Sequence, residues 1–261
     1  MSLPAVTASI VTFRTDFSIV KDVLDSLRAC TLPLEIIIVD NTPEKEYFEA
    51  LQAMSGVRCI HNPENPGYGA GHNLAVRESW PAPYHLVLNP DVFVHTECIE
   101  RLVTLMEKEP DIGLAVPKIF YLDGALQPLN KRDPTMLDLY LRRFVPDRWQ
   151  TLGPVRRRIE HYIMMDYGYD RSYEVPYVSG CFMLFRRSVF EAIDGFDERF
   201  FMHFEDADIS RRVRTVARIR YCPDAQITHR WARGTHKSWL MTLTACKSAF
   251  QYFNKWGWRW W

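Results

Sequence analysis

The first half of the chain alternates short runs of aliphatic and β-branched residues with segments whose apolar residues recur at helical spacing. Residues 6–13 form such a run and predict a buried strand, while residues 17–27 carry their apolar side chains on one helical face. Further strands are predicted at residues 35–40, 57–60, 85–88 and 112–116. This alternation predicts an α/β fold with a mostly parallel, Rossmann-like central sheet and helices on both faces.

Polar residues follow three of these predicted strands. They are Thr12 and Arg14 after the first, Asp40 and Asn41 after the second, and Asn89 and Asp91 after the fourth. Each of them is also a common turn residue or helix cap. Because ligands collect at the carboxyl ends of strands in such sheets, three strands ending this way favour one shared ligand site.

The second half contains a concentrated acidic stretch. Glu205, Asp206 and Asp208 lie directly behind an aromatic run, and Ile209 and Val213 continue at helical spacing, so the acids fall at a helix start. Acids are favoured there as caps and by the positive helix end. Alternatively, two adjacent carboxylates behind an apolar wall have separated pKa values, which suits a proton-accepting base.

Two loops carry further candidate chemistry. The glycine-rich residues 65–73 precede a helix predicted from Leu74, and such loops present backbone N–H groups to phosphate, although a plain loop–helix junction explains them equally. Asn89-Pro90-Asp91 places a carboxylate beside a proline-fixed turn, where it either binds a divalent cation or only shapes the turn. Residues 123–173 predict a long, partly helical excursion. It is either a solvated surface loop or a lid or flap that binds an acceptor substrate.

In chain order, the motifs are V-D-N, G-Y-G-A-G-H-N, L-N-P-D-V, V-S-G-C-F-M-L-F-R-R, G-F-D-E-R-F-F-M-H-F-E-D-A-D-I-S-R-R and T-H-R. Together they resemble the family-2 inverting glycosyltransferases of the GT-A fold, and most of all the bacterial rhamnosyltransferases that build O-antigen and related surface polysaccharides. The resemblance extends roughly from Val6 to Tyr252.

The resemblance implies a nucleotide-sugar donor bound over the sheet. Asp40 matches the residue that contacts the base or ribose, and Asn89-Pro90-Asp91 matches the D-x-D metal motif with Asn in place of the first Asp. Asp206 of the Glu205–Asp206 pair matches the catalytic base. His229 matches a histidine near the metal and diphosphate, although a histidine at a strand end is often structural. Mg²⁺ or Mn²⁺ is the implied cofactor.

The expected site has four groups of residues. The expected catalytic residues are Asp206 and Glu205, and the expected metal ligands are Asp91 and His229. Donor contacts are expected from Thr12, Arg14, Asp40, Asn41, Gly67, Gly71, Asn73, Asn89, Asp91, Arg233 and Lys237, with His236 as a further cationic group. Acceptor contacts are expected from Ser179, Gly180 and Glu205.

Residues 1–238 are expected to form the glycosyltransferase domain, with a donor half (1–120) and an acceptor and catalytic half (121–238). Residues 239–261 are expected to form a C-terminal helix and tryptophan-rich tail. One helical stripe there holds Trp239, Leu243, Cys246, Phe250 and Phe253, with Lys247, Gln251 and Lys255 opposite. The stripe suits core packing. The four Trp residues within 256–261, with Lys and Arg nearby and no acid, suit a bilayer interface.

The chain has 32 Lys and Arg against 32 Asp and Glu, so its net charge of zero predicts no nucleic-acid partner. We expect transfer of L-rhamnose from dTDP-rhamnose to a lipid-linked or saccharide acceptor in surface-polysaccharide (O-antigen) biosynthesis. The expected location is cytoplasmic, on the inner face of the bacterial cell membrane. The alternatives are a UDP-galactose, UDP-glucose or UDP-N-acetylglucosamine donor, and a non-catalytic sugar-nucleotide-binding subunit. A homo-oligomer stays open.

Overall fold

The computed structural model describes residues 3–230 and 239–261. Its strands are β1 (Val6–Thr12), β2 (Leu34–Asp40), β3 (Arg58–His61), β4 (Tyr84–Leu88), β5 (Val92–Val94), β6 (Ile112–Phe120), β7 (Tyr173–Glu174), β8 (Phe182–Arg186) and β9 (Arg218–His229). Its helices are α1 (Phe17–Arg28), α2 (Lys45–Ser55), α3 (Tyr68–Glu78), α4 (Cys98–Lys108), α5 (Met136–Phe144), α6 (Asp147–Gln150), α7 (Gly153–Tyr162), α8 (Arg187–Ala192), α9 (Glu205–Val213) and α10 (Trp239–Trp256).

One sheet contains the described strands in the order β3-β2-β1-β4-β8-β6-β9-β5, with β7 also paired to β9. Strands β1 to β4 are parallel, as are β6 and β9, whereas β8 runs antiparallel between β4 and β6. The short strands β5 and β7 are antiparallel to β9. The α/β class with helices on both faces is confirmed. The sheet is mixed because β5, β7 and β8 pair antiparallel with their neighbours.

Apolar side chains alternate between two cores on either side of the sheet. On β4, Leu86 and Leu88 belong to the core beneath α1 and α4, while Val87 belongs to the core beneath α9. Strand β8 repeats the pattern, with Leu184 on the first side and Phe185 on the second. Because helices cover both faces, the strands are continuous apolar runs in the sequence. Ligands in such sheets bind at the carboxyl ends of the strands.

Helix α3 begins at Tyr68, so the prediction of a loop up to Leu74 was wrong. A Cβ at Gly69 would lie 2.7 Å from Cβ of Phe196, and one at Gly71 would lie 2.8 Å from Cγ2 of Val11. These two glycines therefore let the first turns of α3 approach β1 and the chain before α9. Close packing overrides the low helix propensity of glycine, which costs about 1 kcal/mol per residue relative to alanine.

The excursion at residues 123–173 contains α5, α6 and α7. Helix α5 starts with a capping box in which Thr135 and Asp138 bond to each other's backbone N–H groups. Nε of Arg158 on α7 lies 2.7 Å from the buried Asp138 carboxylate, which joins the two helices. The segment is therefore a packed helical subdomain rather than a solvated loop.

Helix α10 packs against α9, the helix that begins with the acidic pair. Tyr252 and Phe253 are buried in a cluster with Phe200 and Ala207. Nζ of Lys255 lies 2.6 Å from the fully buried Asp208. This ion pair stabilises Asp208, because a buried carboxylate requires a paired charge.

The tail after α10 is held against α5. The backbone N–H groups of Met136 and Leu137 donate to the carbonyls of Arg259 and Trp260 over 2.8 and 3.1 Å. The predicted apolar stripe of α10 is divided: Phe253 is buried, whereas Trp239, Leu243, Cys246 and Phe250 are exposed. None of the described helices combines the length and the apolar character that crossing a membrane requires.

Candidate active site

Asp40, at the end of β2, is fully buried. Its Oδ1 accepts hydrogen bonds from Oγ1 of Thr12 over 2.9 Å and from Oγ1 of Thr42 over 2.7 Å. Its Oδ2 is buried without a partner among the described residues. Burial raises the pKa of this carboxyl group. Buried polar atoms are usually hydrogen-bonded, so this unpaired acceptor atom is a candidate partner for an N–H or O–H group of a ligand.

Asn41 and Gly67 connect this strand end to the second half of the chain. Nδ2 of Asn41 donates to the Gly67 carbonyl over 3.3 Å. Gly67 has φ = 114°, and a Cβ there would lie 2.4 Å from the Phe201 carbonyl oxygen. The next residue, Tyr68, donates its backbone N–H to that same carbonyl over 3.0 Å. Only glycine fits at this crossing, which fixes the Asp40 region beside the chain that leads into α9.

Gly71 and Asn73 have internal partners instead of facing the strand ends. Gly71 lies against Val11. Asn73 bonds twice to the backbone of Phe196, with Nδ2 donating to its carbonyl over 2.9 Å and Oδ1 accepting from its N–H over 2.8 Å. Gly71 therefore packs against β1 and Asn73 fixes the chain at Phe196, and donor contacts by these two residues stay predictions.

Arg14 is exposed beside the Asp40 region. Its backbone N–H donates to Oγ1 of Thr42 over 2.8 Å, and its guanidinium pairs with Glu44. The residue has φ = 47°, in the left-handed region. A donor contact by Arg14 stays a prediction, and it would require exchange of the Glu44 ion pair.

Asp91 and His229 are brought together by the pairing of β5 with β9, in which Val92 lies opposite His229. Nε2 of His229 lies 3.4 Å from Oδ1 of Asp91, and its Nδ1 lies 2.9 Å from Oε1 of Gln127. With this orientation of the Gln127 amide, Nδ1 donates to Gln127 and Nε2 faces the Asp91 carboxylate. Two electron-rich atoms at this separation suit a cation between them, and Gln127 orients the histidine from behind.

Asp91 and His229 together fit a divalent cation that completes its coordination with phosphate oxygens of the substrate. Within residues 3–230 and 239–261, no group of three or more His, Cys, Asp or Glu side chains is arranged to hold a metal. Mg²⁺ is typically held by one or two protein ligands, water and phosphate oxygens. Asn89 is placed beside Asp91 by its backbone N–H, which donates to the Cys181 carbonyl over 2.9 Å.

The acidic pair begins α9 behind two residues in an unusual conformation. His203 and Phe204 both adopt left-handed backbone angles, with φ of 70° and 65°. Non-glycine residues in this region cost of the order of 1–3 kcal/mol each, and they cluster at functional sites. The kink turns the chain so that Glu205 and Asp206 start the helix at the wall of a cavity.

The Asp206 carboxylate is held by three donors. Oδ1 accepts from the Tyr177 hydroxyl over 3.1 Å and from the Ala207 N–H over 2.9 Å. Oδ2 accepts from the Gly180 N–H over 3.3 Å. The Gly180 carbonyl accepts from the Tyr68 hydroxyl over 2.7 Å, so both backbone groups of Gly180 are engaged. Gly180 therefore positions Asp206, and its direct contact with the acceptor stays a prediction.

Glu205 is the buried partner of this base. Its Oε2 is without a hydrogen-bond partner among the described residues. Burial and the neighbouring charge of Asp206 raise the pKa of Glu205 to about 8. Burial and the neighbouring charge therefore favour the protonated form of Glu205 at neutral pH.

Lys131 and Tyr177 complete the site and were not found in the sequence. Their backbones pair across an isolated bridge, and Nζ of Lys131 lies 4.3 Å from the centre of the Tyr177 ring. Burial lowers the pKa of Lys131 to about 8. The motif V-S-G directly after Tyr177 is the one signal that pointed to this tyrosine. Lys131 lies in an aperiodic stretch that gave none.

These groups line a cavity of about 390 Å³. Its walls include Ser179 beside the base, His229 from the metal side, and residues of α5, α7 and α10. A larger cavity of about 610 Å³ lies behind Asn73 and Phe196 and includes neither Asp91 nor Asp206. The donor contacts expected of Arg233, His236 and Lys237 lie outside the described residues.

A Rossmann-like sheet with acids at its strand ends, where ligands bind, and a nearby cavity that contains Glu205 and Asp206 fit a glycosyltransferase of the GT-A class. The chain belongs to glycosyltransferase family 2, because the sequence pattern of Glycosyl transferase family 2 matches residues 8–194.

Two relatives are named as rhamnosyltransferases. The chain is 28% identical to the N-acetylglucosaminyl-diphospho-decaprenol L-rhamnosyltransferase of Mycobacterium tuberculosis, over 82% of this chain and 72% of that protein. It is 25% identical to the rhamnosyltransferase WbbL of Escherichia coli K12, over 90% of this chain and 88% of that protein.

Solved structures share the fold. GalNAc-T7 with UDP, GalNAc and Mn²⁺ superposes with a TM-score of 0.68 at 17% identity, over 89% of this chain and 44% of that chain. The Pyrobaculum calidifontis mannosyltransferase PcManGT, in complex with GDP-Man and Mn²⁺, gives a TM-score of 0.61 at 15% identity, over 97% and 64%. The chain thus spans less than two thirds of either structure, and at these identities the likeness concerns the fold alone.

Proposed function

We propose that this glycosyltransferase moves L-rhamnose from dTDP-rhamnose to a lipid-linked saccharide, with inversion at the sugar carbon, in the assembly of a bacterial surface polysaccharide. The donor is suggested by the names of the mycobacterial and E. coli relatives. The observation that carries the proposal is the Asp206 carboxylate, which three hydrogen-bond donors hold at the wall of a cavity.

In the proposed reaction, Asp206 accepts the proton of the acceptor hydroxyl. The oxygen of that hydroxyl bonds to the sugar carbon, and the bond between this carbon and the diphosphate oxygen breaks. Glu205, whose protonated form is favoured by burial, donates a hydrogen bond within the acceptor site. Ser179 lines the same site and offers a hydroxyl to the acceptor sugar.

Donor binding is assigned to the strand ends. The unpaired Oδ2 of Asp40 accepts from the base or ribose. Asp91 and His229 would hold Mg²⁺ or Mn²⁺, which when bound supplies positive charge against the departing diphosphate. This retains the division into a donor half at residues 1–120 and an acceptor and catalytic half at residues 121–238.

The proposal places the enzyme on the inner face of the cytoplasmic membrane as a peripheral protein. The support is an aromatic surface, defined here by Tyr140 and Phe144 on α5, Leu243 and Phe250 on α10, and Trp258 and Trp260 in the tail, all of which are exposed. Exposed aromatic groups of this kind are favoured at bilayer interfaces. Because α5 and α10 also line the cavity, binding of the aromatic surface to the membrane would bring a lipid-linked acceptor close to the cavity.

Transfer assays with a panel of donors test the proposal. The purified chain is incubated with a lipid-linked N-acetylglucosaminyl diphosphate and, in turn, dTDP-rhamnose, UDP-glucose, UDP-galactose and UDP-N-acetylglucosamine. The account predicts transfer from dTDP-rhamnose at least about tenfold faster than from the others, and an inverted anomeric configuration by NMR. Preference for a UDP-sugar would replace the donor while keeping the fold and the base.

A further inference from the structure

The cavity beside Asp206 contains two cationic side chains with no acidic partner of their own. Lys131 is 9% exposed, and its Nζ lies over the Tyr177 ring without an ion pair in the described parts of the chain. Arg142, on α5, is half-buried with its guanidinium 5.5 Å from the centre of the Tyr162 ring, and likewise has no ion pair or side-chain hydrogen bond to a described residue. Unpaired charges in such positions are costly unless a ligand completes them.

The other charged groups of the cavity do not neutralise this pair. Arg143 is a further cation there and donates to the Thr242 hydroxyl on α10. The facing acids are Glu205, whose protonated form is favoured by burial, and Asp206, whose oxygens are bonded to Tyr177, Gly180 and Ala207. Burial lowers the pKa of Lys131 to about 8; the charge of Asp206 opposes this shift, and the charge of Arg142 adds to it. The cavity lining therefore contains three Lys or Arg side chains against two acidic ones.

The groups follow an order from the base to the surface. The Tyr177 hydroxyl reaches Asp206 and the ring of the same tyrosine carries Lys131. Arg142 follows on α5, and Phe144, two residues on, lines the cavity and is 59% exposed. A glycosyl diphosphate on a lipid has the same order of chemistry: a sugar hydroxyl, a sugar ring, a diphosphate and an apolar chain.

We propose that Lys131 and Arg142 form the subsite for the diphosphate of a lipid-linked acceptor, with the lipid leaving the cavity over Phe144 and the aromatic surface. Arginine offers a planar fork of donors to phosphate oxygens, and lysine a compact charge. This inference rests on the lipid-linked acceptor proposed above. A diphosphate from the nucleotide donor has the same chemistry, so the test separates the two sources.

Direct binding tests the subsite without turnover. Farnesyl diphosphate is titrated into the full chain in the presence of EDTA by isothermal titration calorimetry, with farnesol and dTDP as separate ligands. Arg142→Gln should raise the Kd for farnesyl diphosphate at least about tenfold, since charge-assisted bonds to phosphate are lost, and should leave the Kd for dTDP within about twofold. Farnesol should bind weakly and equally to both proteins.

The matched control is Arg156→Gln on α7, which removes the same charge from an exposed side chain paired with Glu160. Lys131→Met is the second variant, and Arg142→Lys replaces Arg142→Gln if the latter does not fold by circular dichroism. Unchanged binding of farnesyl diphosphate in both cavity variants would overturn the subsite. Equal losses for farnesyl diphosphate and dTDP would assign the cations to the donor and overturn the acceptor assignment. Because this experiment measures binding and not sugar transfer, its outcome can be interpreted even if the transfer assays with the panel of nucleotide sugars fail.

Discussion

The Tyr177 hydroxyl donates to Oδ1 of Asp206 over 3.1 Å, and the two residues come from the chain before β8 and the first turn of α9. The bond aligns the base with a cavity whose wall Tyr177 also forms. A hydrogen bond to a charged group contributes about 1.5–3 kcal/mol.

Tyr177→Phe tests the positioning of the base. Removing the hydroxyl keeps the ring under Lys131, so we expect turnover to fall roughly tenfold while the KM for the donor changes little. Steady-state kinetics with the lipid-linked acceptor measure both. Tyr140→Phe, at an exposed tyrosine on α5, is the control and should behave as wild type. Equal turnover in the two variants would mean that Tyr177 acts only in packing.

The protonation of Glu205 predicts a pH-dependent stability. Burial and Asp206 raise the pKa of Glu205 to about 8, whereas an unfolded glutamate titrates near about 4.3. As pH rises through this window the unfolded state loses the proton first, so this carboxyl destabilises the fold progressively until about pH 8. The free energy of unfolding of Glu205→Gln, relative to that of wild type, should therefore rise by about 2 kcal/mol or more between pH 5 and pH 8.

Urea denaturation at both pH values measures the difference in the free energy of unfolding between Glu205→Gln and wild type. Glu64→Gln, at an exposed position, is the control and should show no such trend. A difference that is the same at both pH values would show that Glu205 is ionised in the folded protein.

Chelation and Asp91→Ala test the metal site. With Asp91 and His229 as the protein ligands, we expect activity to be lost in EDTA and restored by Mg²⁺ or Mn²⁺. In calorimetry, Asp91→Ala should weaken donor binding in the presence of Mg²⁺ and have little effect in EDTA. Full activity after chelation would assign the departing diphosphate to protein cations alone.

The exposed tryptophans predict peripheral binding to anionic bilayers. Trp256 donates its indole hydrogen to Asp208 over 2.8 Å, so it belongs to the fold, whereas Trp260 and Trp261 are exposed. The double variant Trp260→Ala and Trp261→Ala should sediment several-fold less with phosphatidylglycerol vesicles, and high salt should reduce binding further. Trp80→Ala, also exposed, is the control. Equal sedimentation of all three proteins would contradict the membrane surface.

Local patterns predicted the parts of the site that each depend on one short segment. Asp40, Asp91 and the Glu205–Asp206 pair lie at strand ends or a helix start, where spacing and residue type are informative. The α/β class followed from strand–helix alternation for the same reason. The antiparallel direction of β8 did not, because it depends on where the chain returns after the helical excursion.

The remaining site residues depend on long-range packing. Lys131 meets Tyr177 through a bridge between segments 46 positions apart, and neither segment shows periodicity. The early start of α3 depends on Gly69 and Gly71 fitting against Phe196 and Val11. Similarly, the ion pair of Lys255 with Asp208 was not predicted, because the two residues lie on different helices. Such contacts are invisible to propensity and spacing.

Asp206→Asn tests the central claim most directly, because it removes the proton-accepting carboxylate while keeping the shape of the side chain. The measurement is turnover with the lipid-linked acceptor, together with the Kd for the donor, for Asp206→Asn and for the exposed control Asp224→Asn. The account predicts that Asp206→Asn loses about 10²–10⁴-fold in turnover with donor affinity within about twofold, and that the control matches wild type. Wild-type turnover in Asp206→Asn would contradict the assignment of Asp206 as the base.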